Sequence, residues 1–372
     1  MRIGILTLHS GANYGGTLQC YALYYLLCDF GHKVEVIDYI PSQRTGLIKR
    51  LFYAITSIRN INDIKDLISR TALIDANKKV SSRLVRKFDD FRKSNINFSA
   101  RVDETTIASL NNRYDAIIVG SDQVWSSFVR NKLTYFGDWS PKYTGRLISY
   151  AACATNDKYP IIRKKDIGKL LSRFDAISVR DKISGKIVSK LTGQFPKVVQ
   201  DPTILYDFNN IDLFTPIVSD PYIFVYVLGK EINGTIKHTL EIIKSNLNCD
   251  FKIIASNIYG ESCNYADNTL TSLSPFEWLN LIKHADVVFT DSFHASVFSM
   301  KFRTNLIAYY IEENRASRLI DLFQTANLSS FLITGSEQIR PAINAIKSKS
   351  QYTHFRDFDK TDSLSFLIES LK

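Results

Sequence analysis

The sequence has few cysteines, and their spacing is not typical of a metal site or a disulfide framework. Cys20, Cys28, Cys153, Cys249 and Cys263 are scattered along 372 residues without a CxxC pair. Zinc sites carry closely spaced ligand pairs, and small disulfide-stabilised proteins are rich in cysteine. We therefore predict no metal site and expect a cytoplasmic protein, because cytosolic thiols are kept reduced.

Long apolar runs are also missing. A transmembrane helix needs about 20 mainly apolar residues, whereas the apolar run 3–8 soon meets Gly11 and Asn13. We expect neither a membrane span nor a signal peptide. The composition, 45% hydrophobic and 23% charged, is typical of a globular protein and excludes a disordered or fibrous chain. The length predicts two domains, with a cleft between them as the natural binding site.

The positive charge is concentrated in one segment. The net charge is +10, and residues 44–101 hold fourteen Lys or Arg against five Asp. Apolar residues from Leu47 to Ile58 recur on one helical stripe with Lys49, Arg50 and Arg59 beside it. Such a helix could lie on the inner membrane face as a peripheral contact, or it could pack on a protein core with a solvated basic face. No nucleic-acid-binding motif accompanies the charge, so we predict no nucleic-acid partner.

The first 40 residues predict a βαβ unit. An apolar strand at 3–8 is followed by a glycine-containing loop at 9–16, and a helix is expected to begin near Thr17 and to end before Gly31. A second strand follows at 34–39. This order predicts a parallel sheet whose ligand side lies at the carboxyl ends of its strands.

Two α/β patterns follow one another along the chain. In the first half, strands are predicted at 116–119, 147–152, 175–181 and 197–202; in the second half, strands are predicted at 222–228, 251–255, 286–290 and 306–310. The Pro- and Asn-rich stretch 207–221 reads as a linker. We therefore predict an α/β protein with an N-terminal domain at 1–210, carrying a basic helical insertion at about 44–101, and a C-terminal domain at 211–372 that ends in a helix.

Five short motifs occur in an order that resembles the polysaccharide pyruvyltransferases. They are Asn13-Tyr14-Gly15-Gly16-Thr17-Leu18-Gln19, Gly120-Ser121-Asp122-Gln123-Val124-Trp125, Ser178-Val179-Arg180-Asp181, Asp201-Pro202-Thr203 and Asp291-Ser292-Phe293-His294-Ala295. The resemblance runs almost end to end and implies two Rossmann-like domains in an arrangement similar to GT-B glycosyltransferases. It also implies transfer of a pyruvyl group from phosphoenolpyruvate to two sugar hydroxyls as a ketal, in bacterial capsule or exopolysaccharide synthesis. Phosphoenolpyruvate is then the donor substrate, and no cofactor is expected.

The chain departs from the family pattern at two places. Many members carry Arg two residues before the histidine, where this chain has Ser292. Phosphate binding at that position is therefore open. The second departure is Cys153-Ala154-Thr155, where relatives often have Ser-Phe-Gly. The basic segment adds the hypothesis that the acceptor is a lipid-linked saccharide.

Ketal formation requires a proton donor and a base. His294 follows an apolar strand, so we predict it as general acid or phosphate ligand; the alternative is a helix-capping or core histidine, and His9 is a weaker candidate. Asp122 is predicted as the base, or else it caps the following turn. Asp291 either orients His294 or caps the helix expected at Ala295.

The anionic donor requires cations or free backbone N–H groups. Arg180 is the first candidate, with a structural pairing to Asp181 or Asp201 as the alternative, and Arg318 is the second. Ser292 and Phe293 are added from the family motif. Asn13, Gly15 and Gly16 lie at a predicted helix N-terminus, where N–H groups attract anions; a tight turn without a ligand is the other reading.

Gln123 and Trp125 are predicted to contact the sugar, because an indole can stack on a pyranose face. Two other functions fit the same pattern. One is a GT-B-type glycosyltransferase that uses a nucleotide sugar, and the other is a non-catalytic saccharide-binding protein that kept the fold. The missing arginine at Ser292 favours the second of these.

Overall fold

A computed structural model describes residues 1–42, 80–126, 133–154, 161–229, 231–232, 235–247, 250–311 and 313–372. It contains two parallel six-stranded sheets, one in each half of the chain. The α/β prediction is therefore confirmed. The central strands β3, β7 and β10, whose bounds follow, are buried along their whole length, as expected for parallel strands covered on both faces.

The first sheet has the strand order β2-β1-β3-β4-β5-β6. Its elements are β1 (Arg2–Leu6), α1 (Tyr14–Asp29), β2 (Lys33–Val36), α2 (Ser82–Asn95), β3 (Ala116–Val119), β4 (Arg146–Ala152), α3 (Ile161–Leu171), β5 (Ala176–Val179), α4 (Lys182–Thr192), β6 (Lys197–Val198) and α5 (Pro202–Leu205). The chain runs outward from β1 in one direction to β2 and in the other to β3. The switch point of the sheet therefore lies between β1 and β3, where open α/β sheets bind ligands.

The second sheet has the order β12-β11-β10-β7-β8-β9. Its elements are β7 (Tyr222–Tyr226), α6 (Ile236–Leu247), β8 (Lys252–Ser256), β9 (Asn268–Leu270), α7 (Pro275–His284), β10 (Val287–Thr290), α8 (Phe293–Phe302), β11 (Leu306–Tyr309), α9 (Glu313–Thr325), β12 (Leu332–Ile333), α10 (Ile339–Lys347) and α11 (Thr361–Ser370). Here the switch point lies between β7 and β10.

Six elements were not predicted: α3, α4, α5, α10, β9 and β12. The start of α1 was also misplaced. The strands β9 and β12 have only three and two residues, too few to give a periodic signal. Helix α1 begins at Tyr14 and not near Thr17, because the side chain of Asn13 accepts a hydrogen bond from the Gly16 N–H and caps the helix there. The glycine pair thus forms the first turn of the helix.

The basic segment is described only from residue 80 onward. The stripe from Leu47 to Ile58 lies outside the described residues. The rest forms α2, whose Phe88 packs on Tyr14 at 4.9 Å and whose Phe91 packs on Phe276 at 4.8 Å between ring centroids. For this helix the structure therefore shows a protein core, and its basic residues lie around the packed face.

Aromatic side chains join the two halves of the molecule. The ring of Tyr14 on α1 stacks on Trp278 of α7 at 4.9 Å with an interplanar angle of 5°, and its hydroxyl donates to the Leu273 carbonyl. Beside them, Lys87 on α2 forms an ion pair with Glu277 on α7. One apolar cluster contains buried residues of both sheets, so the core is continuous across the boundary.

The C-terminal helix α11 returns to the first sheet. Ser363 accepts a hydrogen bond from the Gln200 N–H at 2.9 Å, the carbonyl of Ser370 accepts from Arg146 at 3.2 Å, and Phe366 lies 6.4 Å from the ring of Tyr150. The sequence prediction had grouped this helix with the second domain. The helix was assigned to the wrong sheet because of its position at the end of the chain. A helical pattern shows which face is apolar and not which sheet that face covers.

Candidate active site

The predicted site residues lie at the switch points of the two sheets. The loop after β1 leads to Gly15 and Gly16, and Asp122 follows β3. On the other side, His294 is the second residue of α8, directly after β10. Arg180 follows β5. Carboxyl ends of parallel strands from both halves therefore contribute residues to one site.

Asp201 lies at the centre of this site, with a fully buried side chain. Its Oδ2 is 2.8 Å from Nη1 of Arg180, 3.2 Å from the hydroxyl of Ser121 and 3.7 Å from Nε2 of His294. Its Oδ1 accepts from the N–H and hydroxyl of Thr203 and so caps α5. One carboxylate thus ties together residues from both halves.

Arg180 is buried between two carboxylates. Its side chain is 2% exposed, and Nη2 lies 3.5 Å from Asp122 in addition to the bond to Asp201. Burial opposes the charge of Arg180, but Asp201 and Asp122 raise its pKa above the ordinary value. Burial likewise disfavours ionised Asp201, while His294 and Arg180 lower its pKa far more. Of the two predicted partners, Asp201 is the one that pairs with Arg180, since Asp181 caps α4.

The imidazole of His294 packs against the backbone of Gly15. An added Cβ on Gly15 would lie only 2.1 Å from Nδ1 of His294. On the other side of the ring, Nε2 faces Asp201 at 3.7 Å, which is longer than a hydrogen bond. Among the described residues, buried Nε2 of His294 and Nε of Arg180 both lack a hydrogen-bond partner. Buried polar atoms without partners, on two residues that border the same carboxylate, are unusual in a purely structural cluster.

Asp122 lies in a left-handed backbone conformation, with φ of 71°. Aspartate tolerates this region better than most residues. An added Cβ on Gly16 would lie 3.5 Å from its Oδ2, so the carboxylate borders the first turn of α1. Asp122 therefore faces both Arg180 and the N-terminus of α1, close to the position predicted for a base.

The residues predicted to bind the donor differ in their burial and in the partners of their side chains. Gly15 and Gly16 are buried beside His294 and Asp122, whereas Asn13 is exposed and its side chain is used as the helix cap. Ser292 is 5% exposed, and its hydroxyl caps α8 by accepting from the Ala295 N–H at 3.4 Å. The side-chain oxygens of Asn13 and Ser292 are thus engaged by their own helices.

Phe293 forms an aromatic surface next to the cations. The guanidinium carbon of Arg180 lies 5.2 Å from its ring centroid, and that of Arg318 on α9 lies 5.9 Å away. Both distances are within the range of cation–π attraction. Phe293, Arg180 and Arg318 are therefore brought together by elements of both halves.

The two residues predicted to bind sugar, Gln123 and Trp125, differ in their exposure to solvent. Gln123 is half-buried next to Asp122. Trp125 is 1% exposed, stacks on Phe136 at 5.4 Å, and donates from its indole N–H to the Tyr135 carbonyl. Its indole faces are covered by protein, so we correct its role to a core residue.

Two further candidates have structural partners. Nε2 of His9 lies 3.0 Å from Asp38, and Nδ1 lies 3.2 Å from the Thr7 carbonyl, so both ring nitrogens are engaged. Asp291 accepts from the N–H groups of Leu228 and Gly229 at 2.8 and 2.7 Å. It therefore neither orients His294 nor caps α8. Instead it joins the loops after β7 and β10 at their switch point.

Sequence reasoning missed the central role of Asp201. It appeared only as part of a motif and as an alternative partner of Arg180. An Asp-Pro-Thr sequence after a short strand is the pattern of a helix cap, and that local role conceals the long-range one.

Within the described ranges, no group of three or more His, Cys, Asp or Glu side chains could hold a metal ion. A search of the same residues for a helix with the length and hydropathy of a membrane span found none.

The two parallel six-stranded sheets, one in each half of the chain, form a fold of the GT-B type. The chain belongs to the polysaccharide pyruvyl transferase family, whose model matches residues 13–313. The resemblance noted in the motifs is thereby confirmed.

Solved structures agree with the fold. A UDP-GlcNAc 2-epimerase from Methanocaldococcus jannaschii is 12% identical with a TM-score of 0.54, and each chain is covered to 100%. A putative UDP-N-acetylglucosamine 2-epimerase from Listeria monocytogenes is 10% identical with a TM-score of 0.52, over 99% of this chain and 94% of that one. No curated protein matches the sequence. At these identities the likeness shows the fold alone.

Proposed function

We propose that this protein transfers the pyruvyl group of phosphoenolpyruvate to two hydroxyls of a sugar, forming a ketal and releasing phosphate. One observation carries the proposal: His294 and Arg180 both border the buried carboxylate of Asp201, and Asp122 lies 3.5 Å from Arg180. The set combines an acid, a cation and a base at one point. Membership of the family supports the transferase class.

The donor binds through its negative charges. Arg180 offers a fixed guanidinium, and the first turn of α1 offers N–H groups at the positive end of a helix. Gly15 and Gly16 in this turn border His294 and Asp122. A donor held between Arg180 and α1 therefore lies next to both proton-transfer groups.

His294 acts as the general acid. It delivers a proton to the methylene carbon of phosphoenolpyruvate, which becomes the methyl group, and positive charge develops at C2. The carboxylate of Asp201 lies 3.7 Å from Nε2 of this imidazole. A positioned acid of this kind contributes about 10²- to 10⁴-fold in rate.

Asp122 acts as the general base. The first sugar hydroxyl attacks C2 and gives its proton to Asp122. The C2–O bond to phosphate then breaks, and the departing phosphate takes up the proton held by Asp122. The second hydroxyl attacks C2 and gives its proton to the imidazole of His294, which restores the acid and closes the ketal ring. The net reaction consumes phosphoenolpyruvate and a diol and yields the ketal and inorganic phosphate, so no redox partner is needed.

The acceptor is proposed to be a saccharide of a bacterial cell-surface polysaccharide, carried on a lipid. Gln123, half-buried beside Asp122, is proposed to contact its hydroxyls. The excess of positive charge at 44–101 supports attraction to a lipid pyrophosphate or an anionic membrane face. Vesicle cosedimentation tests this: binding that does not depend on anionic lipid or salt would count against it.

The decisive experiment measures phosphate release from phosphoenolpyruvate with galactose-, mannose- and glucose-terminated acceptors, lipid-linked and nucleotide-linked. The wild type is compared with His294→Gln and with His238→Gln, a change at an exposed histidine on α6. We expect acceptor-dependent release that falls at least 100-fold in His294→Gln and is retained in His238→Gln.

The same assay separates the alternatives. No release across the panel, together with binding of a nucleotide sugar, would identify a glycosyltransferase. Saccharide binding without turnover of either donor would identify a non-catalytic binding protein. Equal activity of His294→Gln and the wild type would remove His294 from the mechanism.

A further inference from the structure

The charges around Asp201 nearly cancel. Arg180 carries one positive charge, and it is shared by the carboxylates of Asp201 and Asp122 at 2.8 and 3.5 Å. Even with the protonated His294 that the proposed mechanism uses, the formal charges of His294, Arg180, Asp201 and Asp122 sum to zero. Phosphoenolpyruvate carries both a phosphate and a carboxylate, so this cluster alone would not attract it.

Ser292 does not supply the missing charge. Its hydroxyl is neutral, is 5% exposed as a residue, and is directed to the Ala295 N–H of its own helix. The backbone N–H of Ser292 is bonded to the Thr290 hydroxyl at 3.0 Å. A second cation must therefore come from another element.

Arg318 is placed to be that cation. It lies on α9, after β11, and its guanidinium carbon is 5.9 Å from the centroid of Phe293, while that of Arg180 is 5.2 Å from the same ring. Its charge reaches the site, because it lowers the pKa of buried Cys153 against the dominant effect of burial. Within the described residues Arg318 has no carboxylate partner, and it is only partly buried.

We infer that Arg318 provides the second cation of the donor site and takes over the charge that Ser292 cannot provide. This inference rests on the proposed function. Arg180 and Arg318 flank Phe293, and together they fit a small acid that carries a phosphate and a carboxylate. Arg180 is neutralised by its carboxylate partners, whereas Arg318 has none among the described residues, so Arg318 supplies most of the net attraction.

Arginine has a particular advantage at this place. A guanidinium presents a planar fork that can bind a carboxylate or phosphate with two hydrogen bonds, whereas an ammonium acts as a point charge. The ring of Phe293 also orients a flat cation better than a compact one. A lysine at position 318 should therefore restore the charge but only part of the affinity.

The test measures phosphoenolpyruvate binding by titration calorimetry and its KM in the phosphate-release assay. The variants are Arg318→Gln and Arg318→Lys, and the control is Arg340→Gln, which removes an exposed charge on α10 of the same half. We expect the Kd for phosphoenolpyruvate to rise about 10- to 100-fold in Arg318→Gln, with a smaller rise in Arg318→Lys and less than a twofold change in the control. The KM for the acceptor should stay unchanged.

The possible results are distinguishable. If the wild type binds and turns over phosphoenolpyruvate and Arg318→Gln does so equally well, the inference is overturned while the proposed function stands. If the wild type neither binds nor turns it over, the proposed function fails and the inference with it. Thermal unfolding shows whether Arg318→Gln is folded; should it not be, the Kd of Arg318→Lys decides, because a merely structural arginine would leave that value at the level of the wild type.

Discussion

Gly15 and His294, which belong to different halves of the molecule, are in direct contact. A side-chain Cβ on Gly15 would lie 2.1 Å from Nδ1 of His294, a distance that no pair of unbonded atoms tolerates. The absence of a side chain at Gly15 is therefore what allows the imidazole to lie against α1. This explains why glycine occupies position 15 in the first turn of a helix although glycine is a poor helix former.

We predict that Gly15→Ala abolishes phosphate release. Alanine favours the helix by about 1 kcal/mol over glycine, so the cost comes from displacement of His294, which removes the acid from the donor. The matched change Gly16→Ala places its Cβ 3.3 Å from Asn13 and 3.5 Å from Asp122, and only a small adjustment is needed there. We expect kcat/KM to fall at least tenfold more in Gly15→Ala than in Gly16→Ala; equal losses would contradict the contact.

Asp201→Asn should be strongly destabilising. It leaves the buried charge of Arg180 with Asp122 alone, at 3.5 Å, and removal of one partner of a buried ion pair costs about 3–5 kcal/mol. The measurement is urea unfolding of the wild type and variant across pH. A loss below about 1 kcal/mol would show that Asp122 suffices as partner.

The difference in unfolding free energy between the wild type and Asp201→Asn should depend on pH with a definite sign. The pKa of Asp201 is lower in the folded protein than in the unfolded chain, where it is about 3.9. Its ionised form thus stabilises the fold above that value, and the stabilisation is lost as the pH falls below it. The difference between wild type and Asp201→Asn should therefore be largest above about pH 5 and should narrow toward pH 3.

His9→Gln should separate stability from activity. Both ring nitrogens of His9 are bonded, to Asp38 and to the Thr7 carbonyl, and their loss costs about 1–3 kcal/mol. We expect a lower Tm and an unchanged kcat in the phosphate-release assay. A loss of kcat like that of His294→Gln would return His9 to the list of catalytic residues.

Lys301 on α8 should make stability rise with pH in the alkaline range. Its ammonium donates to the carbonyls of Ile204 and Tyr206 at 3.2 and 2.5 Å, and burial lowers its pKa to about 8. The folded state therefore bears a cost below pH 8, which is relieved as the pH rises toward 10.5, by up to about 3 kcal/mol. Relative to Lys301→Met, the wild type should gain stability over this range; the exposed control Lys347→Met should show no such trend.

The two halves should unfold as one cooperative unit. Tyr14 stacks on Trp278 and donates to the Leu273 carbonyl, so Tyr14→Phe removes a bond between the halves at a cost of about 1 kcal/mol. Tyr352→Phe removes a comparable bond, to the Thr304 carbonyl, inside the second half. Hydrogen exchange should show lost protection in both sheets for Tyr14→Phe; loss confined to one sheet would indicate independent domains.

Local patterns were sufficient for the secondary structure around the site. The apolar run before Gly120 and the run before Asp291 predicted β3 and β10, because buried parallel strands are apolar on both faces. Ser292 and Asn13 show the limit of such reasoning. Both were assigned to the donor by their place in a motif, and both cap a helix, since a short polar side chain next to free N–H groups bonds them first.

The sequence by itself determined the α/β class, the order of the strands along the chain and the motifs that end them, because these depend on residues close together in sequence. Tertiary structure decided the rest. Asp201 meets Arg180 across 21 residues, and Tyr14 meets Leu273 across 259. Such contacts depend on how the two sheets pack together. The hydrophobic periodicity within one segment holds no information about that packing. Tertiary packing also decided three placements for the same reason: Trp125 lies in the core, α11 packs on the first sheet, and Arg318 lies beside Phe293.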